Sequence, residues 1–132
     1  MYLQQGIDLV EIKRISKVYE KFGFSFLIKI LSKDELKIIP THKKKRIDFI
    51  SGRFAAKEAF VKALGIGFRN RLTFKRISIV NDKYGKPEIL LEKNLNELFK
   101  KKVKDVNISI SISHEKKYCI ASVILFEKKN ET

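Results

Sequence analysis

Apolar residues recur along this chain with two different periods, and the switches between them lay out the elements. Residues 2–9 read as a first strand; Ile12, Ile15, Val18 and Phe22 then fall at helical spacing, which predicts a helix from about Glu11 to Phe22. In LSKDELKII, Ser32 and Glu35 form the S-x-x-E pattern of a capping box, so a short second helix starts there, and Pro40 and Thr41 interrupt it. A long helix is expected from about Lys44 to Leu64, with Gly65 as its stop. After it, FKRISIV (74–80) reads as a strand, NDKYGK (81–86) as a turn, PEILL from Pro87 as a short strand and residues about 92–102 as helical. VNISISIS (106–113) alternates strictly, with Val106, Ile108, Ile110 and Ile112 on one face and Asn107, Ser109, Ser111 and Ser113 on the other. YCIASVILF (118–126) follows after HEKK, completing an antiparallel hairpin. The expected class is α+β, an antiparallel sheet packed with a long central helix and shorter helices, in a single domain over 1–132.

The long helix carries an anomaly. At about 100° per residue, Ile47, Ile50, Phe54, Val61 and Leu64 fall on one side, and Glu58 lies only about 40° from Phe54. Its carboxylate is therefore expected to point inward, or to the edge of inward, where a charge must be neutralised, paired or bound to metal. Arg53 and Lys57, about 60–100° to the other side of Phe54, are expected to be surface charges.

Composition narrows the function classes. At 132 residues, 44% hydrophobic and with ten Phe, the chain is globular and long enough for a real core. No run of 18 apolar residues occurs and MYLQQGIDLV is not a signal peptide, so a cytoplasmic protein without membrane association is expected. The lone Cys119, in YCIASVIL, reads as a small apolar strand residue. The charge, 29 Lys+Arg against 15 Asp+Glu for a net +14, points to a polyanionic partner: nucleic acid, a phosphorylated small molecule or an acidic protein. The alternative to an enzyme is thus a basic nucleic-acid-binding module, but the RNP aromatic pattern, a GXXG clamp and zinc-ligand spacing are all missing.

Single residues carry little by themselves. Asp8 stands where the first strand passes into a helix, and points opposite to Ile7 and Leu9. Glu58 and Lys62, at i and i+4, would make an ordinary helix ion pair. Arg14 alone is a solvated basic residue, His114 a strand-end histidine, and Gly65–Ile66–Gly67 a helix stop that needs no ligand.

Together, however, GIDLVEIKRI (6–15), fitting G-x-D-x-x-x-x-x-R-I, and FISGRFAAKEAFVKALG (49–65), with its K-E-A-x-x-K-A pattern, resemble the small 4′-phosphopantetheinyl transferases of the holo-(acyl-carrier-protein) synthase type. FRNRLTF (68–74), DKYGKP (82–87) and SISH (111–114) add support, and the motif order agrees over nearly the whole chain. The resemblance implies transfer of the phosphopantetheine arm of coenzyme A to a serine of apo acyl carrier protein, with release of 3′,5′-adenosine bisphosphate, in support of fatty acid biosynthesis. It implies Mg2+ held by Asp8 and Glu58, with Lys62 meeting the pyrophosphate and Glu58, directly or through a metal-bound water, accepting the serine proton. For coenzyme A it points to Lys62, Arg53, Arg46, Lys45, Gly65, Gly67, Pro87, Ser113 and His114. Ile66 replaces the hydroxyl residue common in the family, which removes that phosphate contact or moves it to backbone N–H groups. Arg14, with Lys13, Lys17 and Lys21 on the first helix, would face the acidic carrier protein, and a homotrimer with sites at subunit interfaces is implied.

Overall fold

A computed structural model describes residues 3–65, 74–92 and 106–127. The chain runs β1 (Leu3–Glu11), α1 (Ile12–Phe22), α2 (Phe24–Ile30), α3 (Lys33–Lys37), α4 (Lys43–Leu64), a single 3-10 turn (Phe74–Arg76), β2 (Ile77–Asn81), β3 (Pro87–Leu91), β4 (Val106–His114) and β5 (Tyr118–Glu127). All strand pairing is antiparallel: β1, β5 and β4 form a three-stranded sheet with β5 central, and β2 and β3 form a separate hairpin. The α+β class and the long helix are as the sequence indicates; the strands divide between two sheets.

Most boundaries follow local chemistry. The capping box is present, with Ser32 accepting from the Glu35 N–H and Glu35 from the Ser32 N–H. Gly65 closes α4 at φ 72°, the left-handed stop that a glycine makes without strain. In the 81–86 turn, Asp82 accepts from the Tyr84 and Lys86 N–H groups and Gly85 supplies φ 82°. The β4–β5 pairing sets Ile110 against Val123 and Ile112 against Ala121, so the isoleucine face of β4 continues the buried face of β5.

Three expectations are corrected. Residues 24–30 form a helix that the sequence reading leaves without an element: Phe24, Phe26, Ile28 and Ile30 alternate like a strand, yet Leu27 and Ile30 are the buried pair. The strand expected at 74–80 begins only at Ile77, after the 3-10 turn. The helix expected at about 92–102 lies, apart from Glu92, outside the described residues, as do Ile66, Gly67 and 68–73.

The third correction concerns α4. From Ile50 to Ala63 it is buried almost all round, so no single apolar stripe marks its inner side. Its small residues explain this: Ser51, Gly52, Ala55, Ala56, Ala59 and Ala63 let neighbours approach closely. Phe54, Glu58 and Lys62, successive at i+4, form the ridge left partly open, while Lys57 is fully buried and Arg53 is 8% exposed. Arg53 and Lys57 are therefore not surface charges. Their counterion, Glu35, comes from a different helix and is itself fully buried.

Gly6 shows how tightly β1 lies on this helix. A Cβ placed there would sit 1.9 Å from the Ala59 carbonyl oxygen and 2.6 Å from the Ala63 nitrogen, both backbone atoms. Neither can swing aside as a side chain would, so the elements must part. Gly6→Ala is expected to cost about 3 kcal/mol or more of folding stability in urea melts; a loss below about 1 kcal/mol would show that β1 can shift along α4.

Candidate active site

The close approach at Gly6 carries Asp8 to the exposed ridge of α4. Gly6 and Val10, on the same face of β1, are buried, while Ile7 and Leu9 point away at 54% and 62% exposure. Asp8 thus faces α4, where Lys62 Nζ donates to its Oδ1 at 3.0 Å and to the Ile7 carbonyl at 3.1 Å. Lys62 is an i+4 neighbour of Glu58, but its ion-pair partner is Asp8 across the β1–α4 seam.

Glu58 is half-buried on that ridge. Burial raises its pKa, the nearby Asp8 charge raises it further, and Lys62 partly opposes both. The carboxylate that the sequence placed on the inward stripe is therefore at the wall of a cleft. That cleft, of about 580 Å³, is lined on its polar side by Asp8, Arg14, Glu58 and Lys62, and on its apolar side by Ile15, Val18, Phe26 and Phe54.

The donor set suits a hard divalent cation. Among the described residues no group of three or more His, Cys, Asp or Glu side chains comes together, so a metal here would have two protein carboxylates. Magnesium is usually held in this way, by one or two carboxylates with water and substrate phosphate oxygens completing the shell. Burial first, and the Asp8 charge second, disfavour an ionised Glu58, a cost that a cation held by the two carboxylates would relieve.

The other expected site residues fall into groups. Arg14 lines the cleft; Lys13, Lys17 and Lys21 are exposed on α1. Lys45 is exposed near the start of α4, about 20 Å along the helix from Glu58. Arg46 donates to the Pro40 and Thr41 carbonyls and the Tyr19 hydroxyl. Arg53 donates to the Ile79 carbonyl and stacks 3.9 Å over the Phe49 ring, turned into the core. His114 packs on Gly52 and donates from Nε2 to the Asp48 carbonyl at 2.9 Å, about two and three turns before Glu58 respectively. Ser113 and Gly65 are exposed and Pro87 opens β3; none of these lines the cleft. Gly67 lies outside the described residues.

The apolar wall is what sequence reasoning missed. Ile15 and Val18 read as core positions of α1, although their place beside Arg14 was a usable signal, and Phe26 stands on the unassigned helix. Cys119 is buried between strands and its thiol is pushed up to about 11 by burial, then by Asp48 and Asp8, in keeping with an inert strand residue.

Known proteins similar to this chain share its family and its fold. The family model of the 4′-phosphopantetheinyl transferase superfamily matches residues 4–123. The chain is 42% identical over 125 residues to a holo-[acyl-carrier-protein] synthase of Pelagibacter ubique, covering 93% of this chain and 95% of the relative. The crystal structure of such a synthase from Neisseria meningitidis superposes with a TM-score of 0.86 at 35% identity, over 94% of this chain and 98% of the other. The Helicobacter pylori synthase, solved in complex with coenzyme A, superposes with a TM-score of 0.78 at 35% identity, over 92% and 99%.

The raised Glu58 pKa has a pH signature. An acid whose folded pKa exceeds its unfolded value binds more protons when folded, so stability falls as pH rises from the unfolded value, near 4.5, through the folded one. In metal-free buffer Glu58→Gln should therefore raise Tm relative to the parent at pH 7, and the gain should vanish below about pH 4. A gain that persists at low pH would assign the effect to packing instead of charge.

Proposed function

The chain belongs to the 4′-phosphopantetheinyl transferase superfamily, among its holo-[acyl-carrier-protein] synthases, and on that premise we propose a cytoplasmic, magnesium-dependent transfer that supports fatty acid synthesis. The 4′-phosphopantetheine group passes from coenzyme A to a serine hydroxyl of apo acyl carrier protein. The observation that carries the reading is the convergence of Asp8, Glu58, Lys62 and Arg14 on one cleft with an apolar wall.

The serine oxygen forms a bond to the phosphorus that bears the pantetheine arm, the pyrophosphate bond breaks, and 3′,5′-adenosine bisphosphate leaves with the bonding electrons. Glu58 is suited to take the serine proton, directly or through a water, because its carboxylate lines the cleft beside Asp8 and Lys62. Lys62, whose side chain is 54% exposed and tethered through Asp8, reaches the departing phosphate. Magnesium bound between Asp8 and Glu58 would offset charge on that phosphate.

Coenzyme A contacts are assigned to Lys62, Lys45, Arg46, Gly65, Gly67, Pro87, Ser113 and His114, while Arg53, turned into the core, makes none. In one chain Lys45 and Arg46 stand about 18–20 Å along α4 from Glu58. That separation favours a site completed by a second copy, and so does the uncovered sheet face bearing Leu3, Ile7, Leu9, Ile120 and Phe126. We assign this face to the contacts of a homotrimer. Light scattering should give three chains per particle; a fully active monomer would refute the assignment.

The carrier protein is assigned to α1, with Arg14, Lys13, Lys17 and Lys21 meeting its acidic surface and the Ile15, Val18, Phe26 and Phe54 wall receiving its apolar part. Mass spectrometry of apo carrier protein incubated with the enzyme, coenzyme A and Mg2+ should show the gain of one phosphopantetheine. Asp8→Asn should reduce turnover by about a hundredfold or more with the fold intact, and Arg14→Glu should raise the carrier-protein KM, an effect imitated by added salt. No mass gain, or near-normal transfer by Asp8→Asn, would overturn the reading.

A further inference from the structure

Lys57 adjoins Glu58 in sequence but has no access to the cleft: its side chain is wholly buried. Its ammonium has three donors, and the structure supplies three acceptors. These are Glu35, the Ile30 carbonyl at 2.7 Å and the Phe74 carbonyl at 2.9 Å. Stability alone does not call for this arrangement, since a buried ion pair is commonly matched or bettered by apolar residues of similar volume. What a lysine adds is direction, because it ties two specific carbonyls to one point on α4.

Those carbonyls belong to the two supports of the apolar wall. Ile30 ends α2, the helix that carries Phe26 into the cleft. Phe74 begins the 3-10 turn, and its ring meets that of Phe54 edge-on at 5.4 Å and 74°. Phe54 lies one turn before Glu58 and also lines the cleft. Two aromatic supports from distant parts of the chain are thus referred to the residue beside Glu58.

We infer that Lys57 is a positioning residue for the carrier-protein side of the cleft, setting the spacing of Phe26 and Phe54 through the Ile30 and Phe74 carbonyls. Glu35 neutralises Lys57, and its second oxygen accepts from the Ile79 N–H at 3.0 Å, so it ties the clamp to β2 without touching either aromatic support. The inference rests on the assignment of that wall to the carrier protein.

The roles of Lys57 and Glu35 separate in two variants of the full-length enzyme. Glu35→Gln leaves the buried Lys57 and Arg53 without their counterion but keeps both carbonyl bonds of Lys57; it should lower Tm yet leave the carrier-protein KM near that of the parent. Glu35→Gln combined with Lys57→Met removes the Lys57–Glu35 pair and leaves only Arg53 without its counterion; it should melt above the single variant, with the carrier-protein KM raised about tenfold and the coenzyme A KM and saturating kcat within about threefold. Stability and KM then rank the two variants in opposite orders, which a merely structural lysine would not do. KM values that follow Tm, a double variant with parental kinetics, or one that does not fold would overturn the inference. Arg14→Glu run alongside locates the fault: if it raises the carrier-protein KM and the double variant does not, the clamp is wrong and the docking assignment stands. If neither variant moves it, the docking assignment has failed and the inference with it.

Discussion

A single carboxylate without access to water organises this molecule. Glu35 caps its own helix through Ser32, accepts the Ile79 N–H of β2 and neutralises Lys57 of α4. Three elements distant in sequence are joined at one side chain. Removing one partner from such a buried pair typically costs about 3–5 kcal/mol, against a total domain stability of about 5–15 kcal/mol. Nearby, Ser78 donates to Ser32 at 2.6 Å, so the hydroxyl that accepts from the Glu35 N–H is itself held in place. Ser78, Ser32, Glu35 and Lys57 thus form one bonded group, as a low-dielectric environment favours.

The open ridge of α4 follows from that constraint. With the Arg53 and Lys57 side drawn toward Glu35 and the alanines occupied by β1 and β5, the line from Phe54 through Glu58 to Lys62 is left facing the cleft. The contact at Gly6 then sets Asp8 opposite that line. Two carboxylates fifty positions apart share a site because one helix is held rigidly on both flanks.

How much of this the sequence disclosed depended on whether the governing contact was local. The capping box, the glycine end of α4, the Asp82 turn and the alternation of β4 are settled within a few residues, and all were legible. The burial of Arg53 and Lys57 was not, because their counterion stands 22 residues before Lys57 and only the fold brings it there. Helix α2 was missed for a related reason: its alternating phenylalanines and isoleucines give no helical period, and packing against α1 and the 3-10 turn decides. Glu58 was flagged by the right anomaly: Ile47, Ile50 and Val61 of its stripe are buried, and Glu58 sits with Phe54 at the partly open edge. Asp8 came from motif resemblance; nothing in its immediate neighbours separates it from an acid at a helix start.

The contact at Gly6 also bears on how such an enzyme can diverge. The spacing of β1 and α4 there is set by main-chain atoms, which every substitution elsewhere leaves unchanged. The opposite face of the same strand, with Leu3, Ile7 and Leu9, is therefore at liberty to be rewritten. A lineage, or a protein engineer, could exchange those outward residues for another set while Asp8 keeps its distance from Lys62. The two sides of one nine-residue strand thus answer to different constraints, and a glycine keeps them separable.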